Sequence, residues 1–201
     1  MWQPWIGSRY HERKTLLLLE SCYDWEENGA TLIPSNDHPA IIVKAEISRP
    51  ISNAPTINKL TRAVTGLEWP SPDQADVAWN QYAYTNYNPV NVGAATIRPS
   101  EESWKQAENE WPDLINLICP QTIIVMSKTC WDYMPKTQFK DNAVNPFNGN
   151  KCNEGYALAS GDVAMCYVIQ HPSRGLSYLE YAKFIAWAED MRLNSSISEI
   201  K

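Results

Sequence analysis

Glycine is sparse in this chain, at eight of 201 residues. None of the eight forms Gly-x-Gly-x-x-Gly or Gly-x-x-x-x-Gly-Lys-Ser/Thr. A dinucleotide fingerprint and a P-loop therefore have no backbone to be built on. There is no Gly-x-Ser-x-Gly elbow either, which removes the commonest hydrolase nucleophile turn. Histidine is scarcer still: His11, His38 and His171 are scattered, without the spacing of zinc ligands. The five cysteines (Cys22, Cys119, Cys130, Cys152, Cys166) are odd in number, and no Cys-x-x-Cys occurs. Neither a zinc ribbon nor a disulfide framework is indicated, and buried free thiols are expected. No apolar run approaches the roughly 20 residues of a membrane helix. The start, Met1-Trp2-Gln3-Pro4-Trp5, shows no basic segment leading into an apolar run, so no signal peptide is expected and the cytoplasm is the expected compartment. Excess basic charge is also lacking. Lys plus Arg is 17 against 23 Asp plus Glu, a formal net charge of −6. That disfavours a uniformly basic coat for nucleic acid but leaves room for a local basic groove.

What is present is a globular composition, 44% hydrophobic and 20% charged. The length suits one domain over residues 1–201. Nine Trp and ten Tyr stand against three Phe. These are large apolar side chains with a polar handle, suited either to gripping flat ligands or to filling a Trp-rich core.

Four short apolar runs bounded by polar residues read as buried strands: Thr15–Leu19, Gln81–Thr85, Thr122–Met126 and Met165–Ile169. Those around Ile124 and Val168 are apolar on both faces, as central parallel strands are. Helical signals lie between them. Pro39 suits the first turn of a helix over His38–Ile47. Asn58–Val64 is followed by Gly66, a helix stop. Ser71-Pro72-Asp73 is an N-cap with a first-turn proline. From Ser100, the positions Trp104, Ala107, Trp111, Ile115 and Ile118 keep helical spacing, with Pro112 expected to kink that helix or begin a second one. Ser177-Tyr178-Leu179-Glu180 is a capping box for a last helix. Phe139–Ser160 reads as a long loop or a small hairpin. Alternating strands and helices predict an α/β layer fold with a mostly parallel sheet and right-handed crossovers.

Ligands of such sheets bind outside the carboxyl ends of the strands. After the first run comes Glu20-Ser21-Cys22-Tyr23-Asp24, and after the second Asn86-Tyr87-Asn88-Pro89. Ser127-Lys128 follows the third, and His171-Pro172-Ser173-Arg174-Gly175 the fourth. A carboxylate, an amide, a hydroxyl and an imidazole would thus meet at one edge.

In this order the residues resemble the uracil-DNA glycosylase superfamily, whose first-strand loop often reads Gly-Glu/Gln-x-Pro-Gly/Tyr. Leu19-Glu20-Ser21-Cys22-Tyr23 stands in that place. Tyr84-Thr85-Asn86 is similar to the family's Thr-Asn after the next strand, and Arg98-Pro99-Ser100-Glu101-Glu102 to the Arg-Pro-Thr-x-Glu-Glu of some branches. Pro120–Val125 matches a Pro-x-x-Ile-Ile-Val strand, and His171-Pro172-Ser173 the closing His-Pro-Ser. The resemblance spans roughly residues 14 to 188 and implies a three-layer α/β/α sandwich around a mostly parallel four-stranded sheet. It departs from the pattern where Leu19 and Cys22 replace the usual glycine and proline. Ser21 occupies a position at which several branches place a water-activating Asp or Asn.

The resemblance implies a DNA glycosylase acting on uracil or another altered base flipped out of the stack. His171 would stabilise the departing base, and Glu20 or Asp24 would hold water and offset the sugar cation. Asn86 would read the base edge, with Tyr23 and Ser21 lining the pocket. Ser173, Arg174 and Lys128 would contact the DNA backbone, with Arg9 and Lys14 as further basic candidates. No metal or cofactor is expected, and a monomer acting on single- or double-stranded DNA is. The alternative is a weak or inactive member of this fold that binds a base, a nucleotide or a protein. A third reading is an enzyme of free nucleotides or nucleosides.

Overall fold

The computed structural model describes residues 1–27, 30–32, 34–49, 55–94, 96–141, 144–147, 153–194 and 198–199. Five strands lie in the first half: β1 (Trp5–Ile6), β2 (Thr15–Leu19), β3 (Trp25–Glu27), β4 (Ala30–Leu32) and β5 (Tyr82–Asn86). Five follow: β6 (Thr122–Val125), β7 (Phe139–Asp141), β8 (Asn153–Ala157), β9 (Val163–Val168) and β10 (Ser198–Glu199). The helices are α1 (His38–Ser48), α2 (Pro55–Thr65), α3 (Pro72–Trp79), α4 (Glu101–Ile118), α5 (Lys128–Asp132) and α6 (Tyr178–Asn194).

All four expected strands form. They lie side by side as β5-β2-β6-β9, each pair parallel, with Leu17 opposite both Tyr84 and Ile124. The sheet as a whole is larger than four strands and mixed. Its order is β1-β5-β2-β6-β9-β8-β7-β10. Four further strands enlarge it, the outermost on one side being β10, antiparallel to β7. The segment after α5 folds back as the antiparallel pair β7 and β8 and joins the sheet through β9, so the hairpin reading of Phe139–Ser160 holds for its described part. At the other edge β1 pairs antiparallel with β5. Gly7 ends β1 against the turn before β5, where a Cβ would sit 2.3 Å from the Asn80 carbonyl oxygen. Only glycine lets the two backbones approach that closely.

Alternation along the parallel strands builds two cores. Leu16, Leu18, Ile123, Val125 and Cys166 face α4 and its row of Trp104, Ala107, Trp111, Leu114, Ile115 and Ile118. Leu17, Leu19, Tyr84, Ile124 and Tyr167 face the opposite way, onto Val43, Leu60, Trp79 and Phe184 of α1, α2, α3 and α6. Helices therefore cover both faces. Those between β2 and β5 lie on one side and those between β5 and β9 on the other. Right-handed crossovers require this when the chain first steps outward to β5 and then back past β2 to β6.

The helix starts follow their capping residues. Ser71 and Gln74 form a complete capping box, and Ser177 and Glu180 form another. Pro112 starts no second helix: α4 runs unbroken over 18 residues, with Pro112 on its exposed side. Its neighbours Trp111, Leu114 and Ile115 are buried and anchor both halves to the sheet. Among the described residues the cysteines are free thiols, with Cys22, Cys130 and Cys166 buried and Cys119 exposed. Cys152 lies outside the described residues. No described helix is long and apolar enough to cross a membrane.

Candidate active site

The chain leaves β2 toward one face of the sheet, while β5 and β6 on either side of it lead to helices on the other. The carboxyl end of β2 is therefore a topological switch point, where an open α/β sheet leaves a crevice. Glu20 is the first residue beyond it. The residue is 4% exposed, and both of its carboxylate oxygens are engaged. Arg98 donates to Oε1 at 3.1 Å and Ser127 donates to Oε2 at 2.5 Å. A buried carboxylate is tolerated only with partners of this kind. Ser127 serves two elements at once, since its Oγ also accepts the Cys130 N–H at 3.1 Å and caps α5.

The segment after Glu20 is held as a short parallel extension of the sheet. Cys22 bridges to Asn91, and the Val92 N–H donates to the Cys22 carbonyl. The Asp24 N–H donates to Gly93 O at 2.7 Å, and the Asn91 amide donates to Asp24 Oδ1 at 2.5 Å. Asp24 is thus tied to the 91–93 segment on both its backbone and its side chain. Burial raises the Tyr23 phenol, Glu20 adds to the shift, and Arg98 opposes it. Tyr23 therefore stands near the Glu20–Arg98 pair, and the hydroxyl of Ser21, next to Glu20 in the chain, is buried without a hydrogen-bond partner.

Asn86 ends β5 directly opposite Leu19. It is 3% exposed, and its Oδ1 has no hydrogen-bond partner. Most buried polar atoms in folded proteins are paired, so an open acceptor at the carboxyl end of a strand is a candidate ligand contact. The chain beyond it is fixed. The Asn88 N–H donates to Glu20 O at 2.9 Å, the Asn88 side chain donates to Ser103 Oγ at 3.0 Å, and Trp2 Nε1 donates to Asn88 O at 2.6 Å.

His171 follows β9. Its Nδ1 accepts the Ser173 backbone N–H at 3.2 Å and lies 2.8 Å from the Ser173 hydroxyl. An accepting Nδ1 carries no proton, so the neutral ring holds its N–H at Nε2. Burial lowers its pKa from 6.5. Glu20 opposes that shift, while Arg174, Arg98 and Lys59 reinforce it. The result is a neutral imidazole near neutral pH with a donor at Nε2. The loop that carries it is pinned from behind. Lys59 of α2 donates to Pro172 O at 2.5 Å and Leu176 O at 2.9 Å, and the Tyr181 hydroxyl donates to Gln170 O.

The structure thus brings Glu20, Ser21, Tyr23 and His171 into one electrostatic neighbourhood, with Asn86 on the strand beside Glu20. Ser173 is tied to His171, and Arg174 lies exposed next to it. Lys128 is exposed at the start of α5, at the same edge of the sheet. Arg9 and Lys14 do not join them. Lys14 precedes β2, and Arg9 donates to Asn80 O before β5, so both sit at the amino-terminal edge. A strand of five residues separates the two edges by about 17 Å. Arg9 is also paired with Glu12 at 2.7 Å. Arg98 and Lys59 replace them in the basic set around His171. Among the described residues no group of His, Cys, Asp and Glu is placed to hold a metal ion.

No protein-family model matches the chain, and no curated protein matches it.

Proposed function

We propose that the chain is a DNA glycosylase of the uracil-DNA glycosylase type, with the three-layer sandwich of that superfamily built around its four parallel strands. It would hydrolyse the N-glycosidic bond of uracil or another altered base turned out of the DNA stack. One observation supports this above the others: an unpartnered Asn86 amide oxygen and a neutral His171 presenting Nε2–H share the strand edge with a buried carboxylate.

Each group has a task in that reaction. Asn86 Oδ1 accepts an N–H from the base edge, while its amide N–H₂ donates to a neighbouring carbonyl, a match for the N–H and C=O of uracil. As the C–N bond breaks, its electron pair passes to the base. His171 Nε2–H donates to the base carbonyl oxygen where that charge collects. A fixed donor of this kind contributes a factor of roughly 10²–10³ in rate. Glu20 is held by Arg98 and Ser127, and each of its oxygens keeps a further lone pair. Its charge offsets the oxocarbenium-like sugar, and it orients the water that adds to the sugar carbon. Water supplies the hydroxyl of the product sugar, and its proton neutralises the released base.

The test is base release from oligonucleotides carrying uracil, hypoxanthine, hydroxymethyluracil or a modified cytosine, single- and double-stranded, with alkali converting abasic sites to breaks. Wild-type protein is expected to produce breaks on one of these bases. His171→Ala and Asn86→Ala are expected to lose at least a hundredfold in rate with unchanged thermal unfolding. Breaks that persist in both variants exclude the assigned roles.

A second reading has its own support. Ser21 stands where a water-activating Asp or Asn is usual, and both Glu20 oxygens already accept hydrogen bonds. A protein that binds the base through Asn86 and His171 without cleaving it fits those two facts. It would bind altered-base strands in the same assay and leave them intact.

A further inference from the structure

Behind the His171 loop lies a groove of about 490 Å³ between α2 and the start of α6, lined by Asn58, Lys59, Arg62, Leu176, Ser177 and Tyr178. Two of these residues are cations. Lys59 touches both walls, because its ammonium bonds the carbonyls of Pro172 and Leu176 in the loop that carries His171. Arg62 lies one turn further along α2. Its Nε is buried without a hydrogen-bond partner, and its guanidinium lies 5.0 Å from the centre of the Trp69 ring. Trp69 is 69% exposed, an unusual state for a large apolar ring. Of the acids near it, Glu180 is spent on capping α6 through Ser177, while the exposed Glu68 precedes Trp69 in the chain. A line of positive charge therefore leaves the candidate site along one face of α2 and ends on an aromatic ring steadied by a cation.

We propose that this groove is a track for single-stranded nucleic acid, which takes the sugar–phosphate backbone over Lys59 and Arg62 and stacks one base on Trp69. The inference rests on the glycosylase reading for which base enters the site, whereas the track itself is a binding claim. Cations that follow a backbone, with an exposed aromatic beside them, are how proteins hold single strands without reading sequence. Inside a duplex each base is already stacked on both faces and has none to offer Trp69, so the track favours a single strand. The track thus makes a single strand the substrate class.

The test is fluorescence anisotropy of the full chain with a labelled strand of about a dozen ordinary nucleotides and with the same strand as a duplex. The proteins are wild type, Arg62→Gln, Trp69→Ala and Trp69→Phe, each checked by thermal unfolding. The single strand is expected to bind more tightly than the duplex. Trp69→Ala is expected to weaken strand binding roughly tenfold, and Trp69→Phe to restore most of it, as removal and return of a stacking face require. Arg62→Gln is expected to lower the slope of log affinity against log salt by about 0.7, the value of one phosphate contact on a single strand. Equal strand affinity in all four proteins overturns the track, as does a preference for the duplex or no binding at all. Binding that depends on Arg62 and Trp69 without base release from any oligonucleotide upholds the track and overturns the glycosylase reading.

Discussion

His171 is the residue whose chemistry the surroundings define most completely. Burial is the first cause of its lowered pKa, Glu20 works against it, and Arg174, Arg98 and Lys59 reinforce it. The folded pKa therefore lies below the ordinary 6.5, and the signs of the individual effects are testable. In an NMR titration the His171 midpoint should fall below 6.5 in wild type, lower again in Glu20→Gln, and higher in Arg174→Ala than in wild type. A Glu20→Gln midpoint above that of wild type would contradict the geometry. The linkage follows from the same direction. As pH falls below 6.5 the unfolded chain takes up this proton before the folded one does. The stability held above 6.5 is then lost progressively toward the folded value. Protonating Nδ1 would also set an N–H against the Ser173 N–H that it now accepts. The neutral ring is the form this loop is shaped for.

At the level of elements, α4 shows how packing overrides a local breaker. Pro112 has no N–H, so the Glu108 carbonyl lacks its helical donor, yet the helix continues because Trp111, Leu114 and Ile115 are buried on the sheet. Pro112→Ala should restore that bond at an exposed position and raise stability by about 1–3 kcal/mol, read as a higher urea midpoint. The four parallel strands and five of the helices were legible in the sequence because their signals are local: apolar runs buried on both faces, capping boxes and first-turn prolines. The β7–β8 pair was legible only as a loop or hairpin without strand bounds, and the shortest elements were not legible at all. β1 and β10 have two residues each, too short for any periodicity, and α5 has five. Ser127 was a usable signal for α5, as the N-cap that it is. The site divides in the same way. Glu20, Asn86 and His171 could be picked out because each lies at or just beyond the carboxyl end of a strand. The partners that fix them could not, since Arg98 reaches Glu20 across 78 residues, Ser127 across 107, and Lys59 reaches Pro172 across 113. Such contacts exist only once the sheet order is known. Asp24 was picked for its position near Glu20, and its engagement by Asn91 is again a long-range fact.

For the whole molecule, charge is sorted by edge and not by total. A chain with a net charge of −6 sets Arg174, Lys59 and the Glu20-paired Arg98 around one imidazole at the carboxyl edge. Arg9 is neutralised by Glu12, and Arg13 by Glu189, at the opposite edge. Binding to any oligonucleotide should therefore respond to one edge alone. Arg174→Ala should weaken it and flatten its salt dependence, while Arg9→Ala with Lys14→Ala should leave both unchanged when measured by anisotropy over a salt series. An equal loss from the two edges would mean that nucleic acid is held by general attraction and not at this site.

The two-residue strands β1 and β10 have a meaning beyond the fold. They are the first and last members of the sheet order, so among the described residues each outer margin of the eight-stranded sheet is a two-residue strand. A long, flat margin is a template on which another chain can grow, and short margins remove most of that template. The crowded, apolar middle of this sheet is thereby set back from the margins at which strands of another chain would pair.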